Sequence, residues 1–276
     1  MKTDAGPGAA GSWRGAGAEP LPGSGAEPLL GLSFADLDAF EAASWLAARC
    51  PEAPFGYVVT PNADHLVRLA RCPELGVLYR DALLRLLDSR VVFGAARLLG
   101  LVPPRVATGS DVTALLLARH LRPGERITIV GLRPDWLPGL VARCGLVAPA
   151  HFDPPMGLAG DPVAMRAAVD FVLAHPARFV FLAVGSPAQE MLAAAILATG
   201  RARGVGLCVG SSLAFLAGAV PRAPVWMRRA GLEWLHRLAG DPGRLARRYL
   251  WDCPAVLPLL LRERLARQGL VDVGGR

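Results

Sequence analysis

Lysine is all but missing from this chain. Lys2 is the only one, so the formal net charge of +7 is carried by arginine. Such a bias follows genome base composition as readily as selection for a ligand. The total charge therefore identifies no partner, and only a local concentration of arginine does. Long apolar runs are also absent. The most apolar stretches, residues 179–185 and 255–261, are short and broken by Gly, Pro or charge, which excludes a membrane-spanning helix and leaves any membrane contact peripheral. The N-terminus lacks the basic, apolar and small-residue layout of a secretory signal, so the expected compartment is the cytoplasm. Cysteine is sparse and unpaired. Cys50, Cys72, Cys144, Cys208 and Cys253 are odd in number and never form CxxC, which speaks for reduced, buried small hydrophobes and against disulfides or a zinc site. No Walker A, HExxH or GxSxG motif occurs, the histidines do not cluster at ligand spacing, and no GxGxxG follows the first strand. A nicotinamide-type oxidoreductase is disfavoured on that last ground. Zinc-finger, helix-turn-helix and RNP patterns are missing, so no nucleic-acid partner is expected.

What is present is an apolar chain, 53% hydrophobic over 276 residues, able to bury one large core or two modest ones. Residues 1–30 are rich in Gly, Ala and Pro and repeat GAEPL at 17–21 and 25–29, which predicts a disordered leader. Beyond it, β-rich runs alternate with helical stretches. Strands are expected at 56–60 (GYVVT), 126–131 (RITIVG), 179–185 (FVFLAVG) and 205–210 (VGLCVG), with a helical run over 64–87 after the first. Apolar strands without alternation, separated by helix-length segments, predict an α/β fold: a mostly parallel, Rossmann-like sheet covered by helices on both faces. This core is expected over 31–219. A basic, aromatic-rich helical appendage follows over 220–276. In such sheets the ligand crevice lies beyond the carboxyl ends of the strands.

Those ends carry the candidates. Thr60 and Asn62 either hold a sugar or uracil edge or cap the next helix. Asp88 sits between two apolar runs, where a carboxylate needs a task or a partner; an ion pair with Arg85 or Arg90 is the structural alternative. TGSD, with Gly109 and Asp111, and GSPAQE, with Gly185, Gln189 and Glu190, are small-residue turns opening helices. Such turns present backbone N–H groups to an anion such as a diphosphate, or act as ordinary caps. The DLD at 36–38 suits a helix start better than a metal site, and His65 is read as structural. The appendage concentrates Arg222, Arg228, Arg229, Arg237, Arg244, Arg247 and Arg248 among Trp226, Trp234, Tyr249 and Trp251. That mixture suits phosphates beside an apolar boundary, an anionic lipid surface above all, or else a plain amphipathic surface helix.

Taken together, VVTPNADHLVRL, the Asp88 segment, RVATGSD, VGSPAQE and RAPVWMRRAGLEWLHRLAGDPGRLARRYL resemble the WecG/TagA/CpsF family of bacterial glycosyltransferases, collinearly from about residue 32 to 260. The resemblance implies inverting transfer of a sugar, an N-acetylmannosamine type or a related hexose, from a UDP-sugar donor. The acceptor it implies is a sugar linked to polyprenyl diphosphate at the inner face of the cytoplasmic membrane, in the synthesis of a cell-surface polysaccharide. It implies Asp88 as the catalytic carboxylate and Thr60 and Asn62 in the active-site turn. It also implies Arg105 ahead of the GSD turn, Gln189 in the PxQE turn, and the appendage arginines beside the acceptor and membrane. Ser89, Ala188 and Ala214 depart from the family pattern, which points to a divergent exopolysaccharide branch. The same departures motivate the alternative of an inactive membrane-surface scaffold. With the DLD at 36–38 read as a helix start, the leaving diphosphate falls to backbone N–H groups and to arginines, Arg105 first, so no metal or other cofactor is expected. A homo-oligomer is compatible with the sequence.

Overall fold

The computed structural model describes residues 28–270. Residues 1–27 of the expected leader lie outside the described residues. Six strands form one all-parallel sheet in the order β2-β1-β6-β5-β3-β4: β1 Gly56–Val59, β2 Leu84–Arg85, β3 Thr128–Gly131, β4 Ala150–Phe152, β5 Phe179–Ala183 and β6 Val205–Cys208. Register is fixed by pairs such as Val58↔Leu84, Tyr57↔Gly206, Val180↔Gly206, Ile129↔Phe181 and Ile129↔His151. β1, β3 and β6 are buried along their whole length, and β5 along all but its last residue, which is why they read as continuous apolar runs and not as alternating ones.

Helices cover both faces. On one lie α2 Ala63–Arg71, α3 Gly76–Arg80, α4 Arg90–Leu98, α7 Pro162–Ala174 and α8 Ala188–Ala198; on the other lie α1 Ala39–Ala48, α5 Gly109–Leu115, α6 Leu137–Cys144 and α9 Ser212–Leu216. Alternation along β1 divides its side chains between the two cores, with Tyr57 and Val59 in the first and Val58 in the second. Each fully buried Leu, Val or Phe adds about 1.5–3 kcal/mol relative to exposure. Several helices start where the sequence provides a cap. Asp38 and Glu41 form a reciprocal capping box on α1, Ser89 caps α4, and Asp161 with Pro162 opens α7. Asp38 of the DLD is thus the cap of α1, while Asp36 accepts the Arg105 N–H.

Two strands escaped the sequence reading. ALLRLL, expected to be helical, contains β2, and the helical run from 64 ends at Arg71, followed by a turn and the short α3. Arg85 explains the misreading, since a charge sits in a buried strand. Its guanidinium is satisfied by the carbonyls of Ser33, Tyr79, Arg80 and Ala82. β4 is a three-residue, partly exposed edge strand with little apolar signal. Among the cysteines only Cys208 is buried; Cys50 is exposed.

The appendage continues as α10 Val225–Arg229, α11 Glu233–Gly240, α12 Pro242–Arg247 and α13 Val256–Arg267. Helices α10 and α11 bury no residue fully. By contrast, α13 returns to the first face, where Val256 and Leu260 join the core beside α2 and α4. Leu29 is buried in the same cluster, and the Leu30 N–H donates to Glu263 at 2.5 Å. Among the described residues, no helix is long and apolar enough to cross a membrane.

Candidate active site

The carboxyl edge of β1 and β2 positions Asp88. Chain pairing continues past the strands: Leu86 N–H donates to the Val59 carbonyl and Asp88 N–H to the Pro61 carbonyl, while Ala107 N–H donates to Leu87 from the other side. Held between two extended segments, Asp88 lies at the rim of the sheet. Its Oδ2 accepts the Gly109 N–H at 3.1 Å, one of the unpaired amides at the start of α5. Gly109 is sterically required there, because a Cβ would stand 2.8 Å from Thr60 Oγ1 and 3.6 Å from Asp88 Oδ2. Thr60, Asp88 and Gly109 therefore converge on one spot.

Asp88 retains some accessible surface, yet the atoms crowding its carboxyl push its pKa up to about 6. Burial is the main cause, opposed by the Gly109 hydrogen bond. Glu233 and Asp111 add to the rise and Arg237 opposes it. Since Glu233 and Arg237 belong to α11, the appendage lies near enough for its charges to act on the carboxylate. Among the described residues no ion pair joins Asp88 to Arg85 or Arg90, and Arg85 is spent on backbone carbonyls. A carboxylate with a pKa near working pH suits proton abstraction better than one near 4.

Asp111, one turn into α5, is bound up. Thr108 caps the helix, accepting the Asp111 N–H at 3.1 Å and donating its hydroxyl to Asp111 Oδ2 at 2.8 Å. Oδ1 takes Arg222 at 2.8 Å and Arg228 at 3.2 Å. On the other side of the TPN turn, Asn62 caps α2, its Oδ1 accepting from the Asp64 and His65 amides at 3.1 and 3.3 Å. Asp64 then binds Arg68 at 2.6 Å and Arg248 at 3.3 Å. Arg68 also donates to Ser186 Oγ at 2.8 Å, in the turn after β5. His65 is buried beside Tyr79, with its pKa pushed down to about 3 by burial and by Arg68 and Arg248. It is a neutral core histidine.

The β5 turn is braced from beneath. Gln189 is 4% exposed and spends both ends of its amide, accepting the Gly210 N–H at 2.9 Å and donating to Glu190 at 2.8 Å. Glu190 is fully buried, and burial raises its pKa against hydrogen bonds from Gln189 and Ser186. Gln189 thereby ties the β5 turn to the β6 turn, with Glu190 buried beside it. Open space lies beside Gly185, at φ +81°, where a Cβ would meet nothing within 4 Å.

Arg105, expected at the diphosphate, is bonded to carboxylates. Its N–H donates to Asp36 at 2.8 Å, and its half-exposed guanidinium pairs with Glu41 at 2.7 Å, Asp36 at 3.4 Å and Asp38 at 3.8 Å. Three carboxylates at the start of α1 hold it, so it staples the 105–107 segment to that helix. The appendage arginines also divide. Arg222, Arg228 and Arg248 turn inward to core aspartates, and Arg237 stacks 5.2 Å over the Phe215 ring. Arg229 and Arg247 are exposed, and the Arg244 side chain lies outside the described residues. Arg247 lines a cleft of about 460 Å³ with Arg71, Trp251 and Asp252. Among the described residues, no group of three or more His, Cys, Asp or Glu side chains could hold a metal ion.

Sequence reasoning passed over Asp64 and Arg68. Their i, i+4 spacing on α2 signals an ion pair, but the Ser186 contact joins them to a turn 118 residues away, which no local pattern reveals. The geometry, then, is a parallel α/β sheet whose carboxyl rim holds one enclosed carboxylate between two arginine-bearing aspartates. The family model described as the glycosyl transferase WecG/TagA/CpsF family matches residues 27–269, a span that includes this rim and the appendage, and the chain belongs to that family of glycosyltransferases.

Proposed function

We propose that the chain transfers a sugar, an N-acetylmannosamine type or a related hexose, with inversion from a UDP-sugar to a polyprenyl-diphosphate-linked acceptor at the inner face of the cytoplasmic membrane. The product feeds a cell-surface polysaccharide. The observation that carries this reading is Asp88, an enclosed carboxylate at the sheet rim with its pKa raised to about 6.

Asp88 takes the proton of the acceptor hydroxyl as that oxygen bonds to the anomeric carbon. The bond from the anomeric carbon to the diphosphate breaks, and UDP leaves with the electron pair. Thr60 and Gly109 fix where the carboxylate stands, so its reach to the attacking oxygen is set in advance. Backbone N–H groups and guanidiniums meet the charge on the departing diphosphate, and no step here calls on a metal. Activity should survive EDTA; loss restored by magnesium or manganese would contradict that.

Membrane contact is assigned to the outer side of the appendage. There Val225, Trp226, Leu235, Leu250, Trp251, Leu257 and Leu261 are exposed, with Arg229 and Arg247 in the same segments. Aromatic and aliphatic side chains at an acyl boundary with arginines at headgroups are the composition of an interfacial helix surface.

The test is turnover by purified protein with UDP-sugars and a lipid-linked acceptor, wild type against Asp88→Asn. The expected loss is about two to four orders of magnitude in kcat with UDP affinity retained. Near-normal turnover by Asp88→Asn removes the carboxylate from this role.

A further inference from the structure

With Arg105 committed to three carboxylates, the donor diphosphate needs another cation. We propose that Arg68, seconded by Arg248, grips the diphosphate of the UDP-sugar beside the β5 turn, with Asp64 holding the two guanidiniums ready. The proposal rests on the glycosyltransferase reading above.

The argument begins with direction. Side chains on a helix lean toward its N-terminus, so Arg68, in the second turn of α2, carries its head back to the rim, where it meets Asp64 and Ser186 Oγ. Ser186 follows Gly185, beside which there is open space at the rim. A phosphate seated there lies within reach of a guanidinium already bonded to the turn.

Charge gives the second support. Arg68 and Arg248 share one carboxylate oxygen, Asp64 Oδ2, at 2.6 and 3.3 Å. Two cations on one anion leave a surplus positive charge in a partly buried place, with side-chain exposures of 26% and 31% for the arginines and 14% for Asp64. Arg248 Nε is buried with no hydrogen-bond partner among the described residues, a donor the protein leaves unused. Hydrogen bonds to a phosphate oxygen are stronger than the one Arg68 now gives a neutral serine hydroxyl, and an arginine fork can make two in parallel. Because Arg248 comes from the appendage and Arg68 from the core, a bound diphosphate would tie the two together. Asp64 thereby links occupancy of the donor site to the seating of the appendage.

The test compares UDP with UMP by isothermal titration on the full chain, for wild type, Arg68→Gln, Arg68→Lys and Arg105→Gln. Arg68→Gln should weaken UDP by about tenfold or more while UMP changes by less than about threefold, because a charge-assisted bidentate contact is lost only where the second phosphate sits. Arg68→Lys keeps the charge without the fork and should fall between wild type and Arg68→Gln, which also decides the matter if Arg68→Gln does not fold. An unchanged ratio of UDP to UMP affinity in both Arg68 variants overturns the proposal. So does a collapse of that ratio in Arg105→Gln alone, which would return the role to Arg105. Failure of the wild type to bind any uridine nucleotide would instead sink the functional reading itself.

Discussion

Asp88 and Asp111 flank the start of α5 and are held by different partners. Asp88 receives a single backbone N–H, from Gly109, and its pKa rises to about 6. Asp111 receives two appendage guanidiniums and the Thr108 hydroxyl. Environments that separate two neighbouring carboxylates in this way assign them different work. Asp88 is left able to exchange a proton, while Asp111 fastens Arg222 and Arg228 and so docks the appendage over the rim. Asp64 repeats the second arrangement on the far side of the TPN turn, with Arg68 and Arg248.

The comparison breaks first at Gly109. An alanine there would put its Cβ 2.8 Å from Thr60 Oγ1, displacing the threonine and the carboxylate together. A misplacement approaching 1 Å should lower kcat by about a hundredfold with little change in UDP affinity. Steady-state kinetics on the lipid-linked acceptor measure it, and unaltered kcat would mean the three groups need not converge. Asp111→Asn should act more mildly. It removes the anion that holds Arg222 and Arg228 but leaves Asp88 in place, so transfer to the lipid-linked acceptor should fall by about tenfold, the scale of one lost charge-assisted contact. Equal loss for Asp88→Asn and Asp111→Asn would erase the distinction drawn here.

Stability responds to Asp88 in the opposite direction from activity. The Asp88 pKa is raised from 3.8 to about 6 in the folded chain, so the native state binds the proton more tightly than the unfolded state. That contribution is fully present below pH 3.8 and is lost as pH rises through 6. At pH 7.5 the ionised carboxylate is thus a cost of at most about 3 kcal/mol. Asp88→Asn should therefore raise the melting temperature by several degrees at pH 7.5 and hardly at all at pH 4, as differential scanning calorimetry can show. The smallest expected effect lies on the outer side of the appendage. Replacing exposed Trp226 and Trp251 by alanine should weaken binding to anionic vesicles by about tenfold while UDP affinity stays unchanged. Point variants serve better here than removal of everything after 219, since that cut would strip α13 from α2 and α4 and expose core around Val256 and Leu260.

Much of this architecture was legible in the sequence because parallel strands buried on both faces announce themselves as apolar runs. β1, β3, β5 and β6 were readable in that way. β2 was not, since two residues interrupted by Arg85 carry no strand signature until the carbonyls that solvate the guanidinium are in view. The positions at the strand ends were legible by the same logic, and their division of labour was not. Gln189 and Glu190 look like ligand-facing polar groups in GSPAQE, yet the fold turns both inward as a brace. Arg105 meets Asp36 across 69 residues, and Arg222 meets Asp111 across 111, so neither pairing leaves a trace in local spacing. Composition revealed the arginine cluster of the appendage. Only coordinates divide it into inward cations that dock on aspartates and outward ones beside exposed tryptophans.

The pH dependence of kcat/KM reports most directly on the enclosed carboxylate, because only its ionised form can take the acceptor proton. With the lipid-linked acceptor held below saturation and UDP-sugar varied, kcat/KM should fall tenfold per pH unit below an inflection at about 6, where Asp88 titrates, and that limb should vanish from the residual activity of Asp88→Asn. A profile flat from pH 4.5 to 8 in the wild type, or an acid limb that persists in Asp88→Asn, would contradict the account.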